Sequence, residues 1–191
     1  MSLVTKVKAA SITNLSDARY CAGMGVDWIG FPVAQVNPIM FSEITGWLSG
    51  PQWVVELSSQ PWGELGAYPT SVWQCLLADL DKALELPGKI MVQLDVQDWP
   101  AAKVNLLSSA DRIEAIIINK FSGIPESDKN SVDSISKHFV VLIDMNQAGY
   151  ELAEILTWNV AGIQLHGSYE ERPGLKDYAQ LADVLEKLEV D

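Results

Sequence analysis

Glu56, Asp95, Asp144 and His166 each close an apolar run, and these are the residues of the chain best suited to acid–base chemistry. Three carboxylates and an imidazole can hold a divalent cation or pass a proton at neutral pH. Ser58, Asp98, Asn119, Lys120, Asn146 and Ser168 stand at or just beyond the ends of the same kind of run. No fixed spacing links them, so helix capping and simple solvation account for most of them taken singly. Lys8 precedes Ala10 by two positions and shares its face in a strand, where its long stem can lift an amine toward a site. Such a lysine is either a base with a lowered pKa or half of an interior ion pair, and the ion pair is the commoner fate. Cys21 and Cys75 show neither CxxC nor Cys/His ligand spacing and read as core thiols.

Runs rich in Val, Ile, Leu and Trp must position these groups. We place strands at 4–10, 27–33, 53–57, 72–77, 89–95, 114–119, 139–144 and 162–166. Stretches such as Ala115, Ile116, Ile117 and Ile118 are apolar without alternation, which suits parallel strands covered on both faces. Helical patterns lie between them. Asn14 with Asp17 three residues on makes an N-terminal cap, and Gly25 can close that first helix in the left-handed conformation. Leu181, Val184, Leu185 and Leu188 form one apolar stripe on the last helix. Strands recurring at short intervals, with no linker between them, predict a small single-domain α/β barrel of eight β/α units over residues 1–191. An open doubly wound sheet is the alternative. It requires a glycine-rich turn after the first strand, where Ala10, Ser11, Ile12 and Thr13 stand instead. In the barrel, the C-terminal ends of the strands are where an active site forms.

Composition narrows the partners. Thirteen basic against 25 acidic residues give a net charge of −12, which repels phosphate backbones and anionic bilayers. Nucleic-acid and membrane partners are therefore not expected. The absence of a signal-type segment and the sparse cysteines fit a reducing cytoplasm. The seven tryptophans read as core and helix-to-barrel packing, with Trp62 and Trp99 in loop-like contexts that suit covering a pocket.

Several runs carry a family likeness. Val7, Lys8, Ala9, Ala10, Ser11, Ile12, Thr13, Asn14, Leu15, Ser16, Asp17 and Ala18 resemble the opening V-K-I-C-G-I-T-N-x-x-D-A of phosphoribosylanthranilate isomerase. Gly30, Phe31, Ala34, Pro38 and Ser42 fall in register with its G-F-x-F-x-x-x-S-P-R-x-x-S segment. Gly162, Gly167, Glu170, Pro173, Gly174, Leu175, Lys176 and Asp177 follow its G-V-D-V-S-S-G-V-E-x-x-P-G-V-K-D pattern, the glycine after the strand coming one place early. The resemblance implies a (βα)8 barrel of tryptophan biosynthesis whose reaction is an Amadori rearrangement, with a cysteine as base and an aspartate as acid.

This chain departs from that pattern where the chemistry sits. Ala10 occupies the cysteine position, and Asn119, at the aspartate position, is a neutral amide with no proton to give at pH 7. The arginine that grips the anthranilate carboxylate falls on Ile39, and the histidine of the family's V-Q-L-H-G strand falls on Leu76. Ile143, Asp144, Met145 and Asn146 replace a glycine-rich phosphate loop, leaving Gly167 and Ser168, beside His166, as half of an anion cradle. A well-placed acid or base contributes about 10²- to 10⁴-fold, so losing both removes most of the family rate.

Three readings follow. One is a barrel that has lost the isomerase chemistry and binds a ligand or partner, the ligand being a small anionic or phosphorylated molecule. Another is an active isomerase with relocated groups, Lys8 as base and His166 or Asp144 as acid. The third is a new enzyme built on Glu56, Asp95, Asp144 and His166. None of them assigns an organic cofactor, and only the third has room for a metal.

Overall fold

The computed structural model describes residues 3–57, 62–167, 170–172, 175–176 and 179–190, with the side chains of 168–180 left aside. Eight parallel strands close on themselves in sequence order. They are β1 (Lys6–Ala10), β2 (Trp28–Pro32), β3 (Gln52–Glu56), β4 (Val72–Leu76), β5 (Lys89–Asp95), β6 (Ile113–Lys120), β7 (Val141–Asp144) and β8 (Gly162–His166). The expected strands are all present, with ends within two residues of those read from the apolar runs. β8 pairs with β1 from Lys6↔Gly162 to Ala10↔His166, which closes the ring.

Side-chain alternation sorts each strand into two environments. Ile29, Phe31, Val55, Cys75, Val92, Ile116, Ile118, Ile143 and Ile163 face outward into the layer beneath the helices, and all are fully buried. Trp28, Val54, Val72, Met91, Ala115, Ile117 and Leu142 form a separate cluster that fills the barrel interior. Cys21 and Cys75 are both buried, and burial pushes the Cys75 thiol up to about 12.

Helices α1 (Leu15–Gly23), α2 (Pro38–Thr45), α3 (Leu80–Ala83), α4 (Trp99–Ser108), α5 (Pro125–Ser136), α6 (Leu152–Ile155) and α7 (Ala179–Lys187) surround the wall. The α1 cap is as the sequence predicts. Asn14 Oδ1 accepts from Asp17 N–H at 2.9 Å, and Gly25 has φ +79°. Such a cap is worth about 1 kcal/mol. Leu181, Leu185 and Leu188 of the predicted stripe are buried, with Val184 packed beside them.

Two expectations are corrected. The chain between β3 and β4 has no α-helix among the described residues, only a 3₁₀ turn at Leu65–Ala67. Gly63, Gly66 and Pro69 disfavour a helix there, and Tyr68 covers the gap with its ring 5.6 Å from Phe41 and its hydroxyl on Val36 O. Trp99 is not in a loop, although it does line a shallow groove with Ile124, Glu126, Asn130 and Ser134. It opens α4, is 4% exposed, and packs edge-on against Phe139. Trp62 packs partly against the core with the Lys82 ammonium 5.0 Å from its ring, whereas Trp47 is 74% exposed. Beyond β8 an antiparallel pair, β9 (Glu170–Arg172) with β10 (Leu175–Lys176), appears that no sequence pattern announced.

Candidate functional site at the C-terminal mouth

Lys8 Nζ meets Glu56 Oε1 at 2.5 Å although β2 lies between their strands. Only the concave inner face permits this, and only because the intervening residue is Gly30. A Cβ built there would stand 1.9 Å from Glu56 Oε1 and 2.7 Å from Lys8 Nζ. Lys8 is completely buried. Burial pulls its ammonium below the usual lysine range, opposed by Glu56 and more weakly by Asp144. The interior ion pair is thus the role its geometry gives it, and its amine ends beneath the mouth rather than in it.

Ala10 shares the inward parity of Lys8, is 1% exposed, and is level with His166 on β8. Asn119 shares the parity of Ile117 and takes a hydrogen bond from Gln93 Nε2 at 3.2 Å. A methyl group and an amide therefore occupy the inner ends of β1 and β6. Leu76, with the same parity on β4, is 41% exposed at the rim. Ile39 lies on the first turn of α2, 72% exposed.

A polar cluster spans β7, β8 and the end of β1. His166 Nε2 is 2.8 Å from Asp144 Oδ2, and Gln164 Nε2 donates to the same oxygen at 2.8 Å. Asp144 Oδ1 accepts from Asn146 N–H at 3.0 Å, so the carboxylate is satisfied at both oxygens while only 1% exposed. His166 Nδ1 is 3.4 Å from Ser11 Oγ. Ser11 N–H in turn donates to Glu56 Oε2 at 2.9 Å, which connects this cluster to the Lys8 pair. The side-chain carbonyl oxygens of Gln74 and Gln164 are buried and have no hydrogen-bond partner among the described residues.

Gly167 does not act as expected. Its N–H donates to Ala10 O at 2.9 Å, so it is spent on extending the β1–β8 seam and cannot cradle an anion. Ser168, the other half of that cradle, lies outside the described residues, as does Ser58. Asp95 ends β5 half-buried, Asp98 caps α4 without a side-chain hydrogen bond, and Lys120 is exposed. Among the described residues no three His, Cys, Asp or Glu side chains converge as metal ligands. The expected four-residue rim therefore divides. Asp144 and His166 meet directly, Glu56 joins them through Ser11, and Asp95 stands apart.

Ser11, Gly30 and Gln164 escaped the sequence reading as functional positions. For Ser11 a signal existed, since it stands where the similar family motif has glycine. Its φ of +58° is the only positive value for a non-glycine residue among those described. Beside His166 a cleft of about 680 Å³ opens between α6 and α7, with Met145, Leu165, Leu181, Val184, Asn146 and Lys187 among its walls.

No protein-family model matches this chain, and no curated protein matches it. Solved structures do. Phosphoribosyl anthranilate isomerase from Thermus thermophilus superposes with a TM-score of 0.69 over 96% of this chain and 98% of its own, at 18% identity. A phosphoribosyl anthranilate isomerase bound to reduced 1-(o-carboxyphenylamino)-1-deoxyribulose 5-phosphate gives 0.68 over 95% and 97%, at 16% identity. A truncated 3-deoxy-D-arabino-heptulosonate 7-phosphate synthase from Thermotoga maritima reaches 0.69 over 96% of this chain and 84% of its own, at 12% identity. What these matches share is the fold. An isomerase and a synthase score equally, so the likeness alone selects no chemistry. No helix among the described residues is long and apolar enough to cross a membrane.

Proposed function

We propose that this chain is a divergent phosphoribosylanthranilate isomerase-type barrel that no longer performs the Amadori rearrangement and holds a small molecule at its C-terminal mouth. The observation that supports it is the pair Ala10 and Asn119. Both sit on the inner face at strand ends, and neither can exchange a proton. Lys8 is a poor substitute base because its amine is buried against Glu56. Ile39 and Leu76 leave no charge to hold a carboxylate. Losing acid and base together removes a factor of about 10⁴ or more.

The matched isomerase with a carboxylated, phosphorylated ligand gives the class of molecule to try first, a ribose phosphate. Asp144, Glu56 and the net charge of −12 oppose an anion here, so binding should be weak and should strengthen when Asp144 is neutralised.

Two measurements test this. Expression in a strain lacking the isomerase should not restore growth without tryptophan, and growth would end the proposal. Calorimetric titration with ribose 5-phosphate and with inorganic phosphate should show tighter binding to Asp144→Asn than to wild type. Equal affinity for both proteins, or none for either, would remove the anionic ligand from the proposal.

A further inference from the structure

Ser11 follows β1 directly and precedes α1, a strand–turn–helix setting in which its side chain is carried at φ +58°. Residues with a Cβ enter that region at a cost, and such outliers collect where backbone geometry serves a function. Three hydrogen bonds fix the turn. Ser11 N–H donates to Glu56 Oε2, Ile12 N–H to Gly30 O, and Gly167 N–H to Ala10 O, each at 2.9 Å. The hydroxyl so placed is 3.4 Å from His166 Nδ1, the longer side of hydrogen-bond reach and usual for an unliganded site.

The other side of the imidazole decides its tautomer. Asp144 Oδ2 lies 2.8 Å and the Gln164 amide nitrogen 3.2 Å from Nε2; in the neutral tautomer whose Nε2 proton goes to the carboxylate, the Nδ1 lone pair faces Ser11. Asp144 is itself held by Gln164 Nε2 and Asn146 N–H. A hydroxyl, a base and a buried carboxylate that orients the base are thus in line, the arrangement that activates a nucleophile.

We propose that Ser11, His166 and Asp144 form a nucleophilic site that hydrolyses a small uncharged ester. Ser11 Oγ attacks the ester carbonyl carbon as its proton passes to His166 Nδ1. The bond from that carbon to the alkoxy oxygen breaks, and the leaving alcohol takes the proton from Nδ1. Water then attacks the acyl-serine, giving a proton to Nδ1. The acid departs as Ser11 Oγ recovers that proton, so one ester and one water become one acid and one alcohol. Asp144 keeps its negative charge throughout and steadies the imidazolium. Two carboxylates near the mouth and the net charge of −12 select against anionic esters. His166 also lines a cleft with Met145, Leu165, Leu181 and Val184 alongside Glu151, Asp183 and Lys187, but Ser11 is not among its walls, so the acyl group tried first is a small one.

The test uses the full chain with diisopropyl fluorophosphate, read by intact mass and peptide mapping, and with p-nitrophenyl acetate, read by nitrophenolate release. The expected result is a single adduct on Ser11, absent in Ser11→Ala, with labelling and ester turnover slowed about 10²-fold or more in His166→Gln. Asp144→Asn should slow both as well, and circular dichroism identifies any variant that is not folded. Wild type without an adduct, an adduct that persists in Ser11→Ala, or His166→Gln labelling as fast as wild type would each overturn the proposal. Should Asp144→Asn not fold, His166→Gln decides alone. None of these outcomes bears on the isomerase complementation test, so the two proposals stand or fall separately.

Discussion

Ser11 N–H donates to Glu56 Oε2 at 2.9 Å, so a turn at the end of β1 is held by a side chain from the end of β3, 45 positions away. The other oxygen of Glu56 lies on Lys8, one layer deeper. A single carboxylate thereby joins an interior cation to the backbone that presents the mouth, and disturbing either end should be felt at the other.

Removing Lys8 alone should be costly. Lys8→Met leaves Glu56 buried without its partner, and breaking one side of a buried pair costs about 3–5 kcal/mol. Adding Glu56→Leu removes the orphaned charge and should restore most of the loss, leaving about 1 kcal/mol for the unpaired Ser11 N–H. Urea unfolding of the two single variants and the double variant measures this. A double variant as unstable as the sum of the singles would mean the pair is not energetically coupled.

Gly30→Ala should fail for a steric reason. Its methyl would fall 1.9 Å from Glu56 Oε1, and a carboxylate locked between Lys8 and Ser11 cannot swing aside without breaking both contacts. We expect a loss of about 1–3 kcal/mol from overpacking alone. A thermal midpoint unchanged from wild type would show that the interior has room for a methyl group at this position.

Two substitutions at Ser11 separate its backbone strain from its hydroxyl. Ser11→Ala and Ser11→Gly both lose the hydroxyl, but only glycine is at ease at φ +58°. The glycine variant should be more stable than the alanine variant by about 1 kcal/mol. Equal stability in denaturant titrations would mean the turn carries no strain.

Asp128 should govern part of the acid stability. Burial alone would raise its carboxyl, but hydrogen bonds from Ser122 Oγ, Tyr150 Oη, Ser122 N–H and Gly123 N–H outweigh this and hold it below its usual 3.8. The same contact, after burial, pushes the Tyr150 phenol up to about 12. A depressed carboxyl stabilises the fold fully above its unfolded pKa, and that contribution is lost as pH falls through the folded value. Asp128→Ala should cost about 1–3 kcal/mol at neutral pH through its unpaired donors. The gap to wild type should narrow only as pH drops below 3.8. A gap independent of pH in urea titrations would reject the charge-based account.

The barrel was legible because parallel strands buried on both faces read as unbroken apolar runs, and Ala115–Ile118 could hardly be anything else. The Asn14 cap was legible because it acts over three residues. Asp144 and His166 were visible as strand-end polar groups, yet their contact joins positions 22 apart and depends on β7 and β8 being neighbours. Ser11 to His166 spans 155 positions, and no local pattern encodes it. Gly167 was misread for the same reason. A glycine after a strand suggests a free N–H, but β1 arrives from the far end of the chain to use it.

The β1–β8 seam has a kinetic side. Every pairing from Lys6↔Gly162 to Ala10↔His166 joins residues near opposite ends of the sequence, while each other adjacent pair of strands is close along the chain. Loop-closure entropy grows with the length enclosed, so this is the strand pair whose formation loses the most freedom before its contacts are made. The ring should therefore assemble as an open, curling sheet and zip shut last. Because the Ser11–His166–Asp144 cluster straddles that zip, it comes into being only with closure, and its assembly would report the final step of folding.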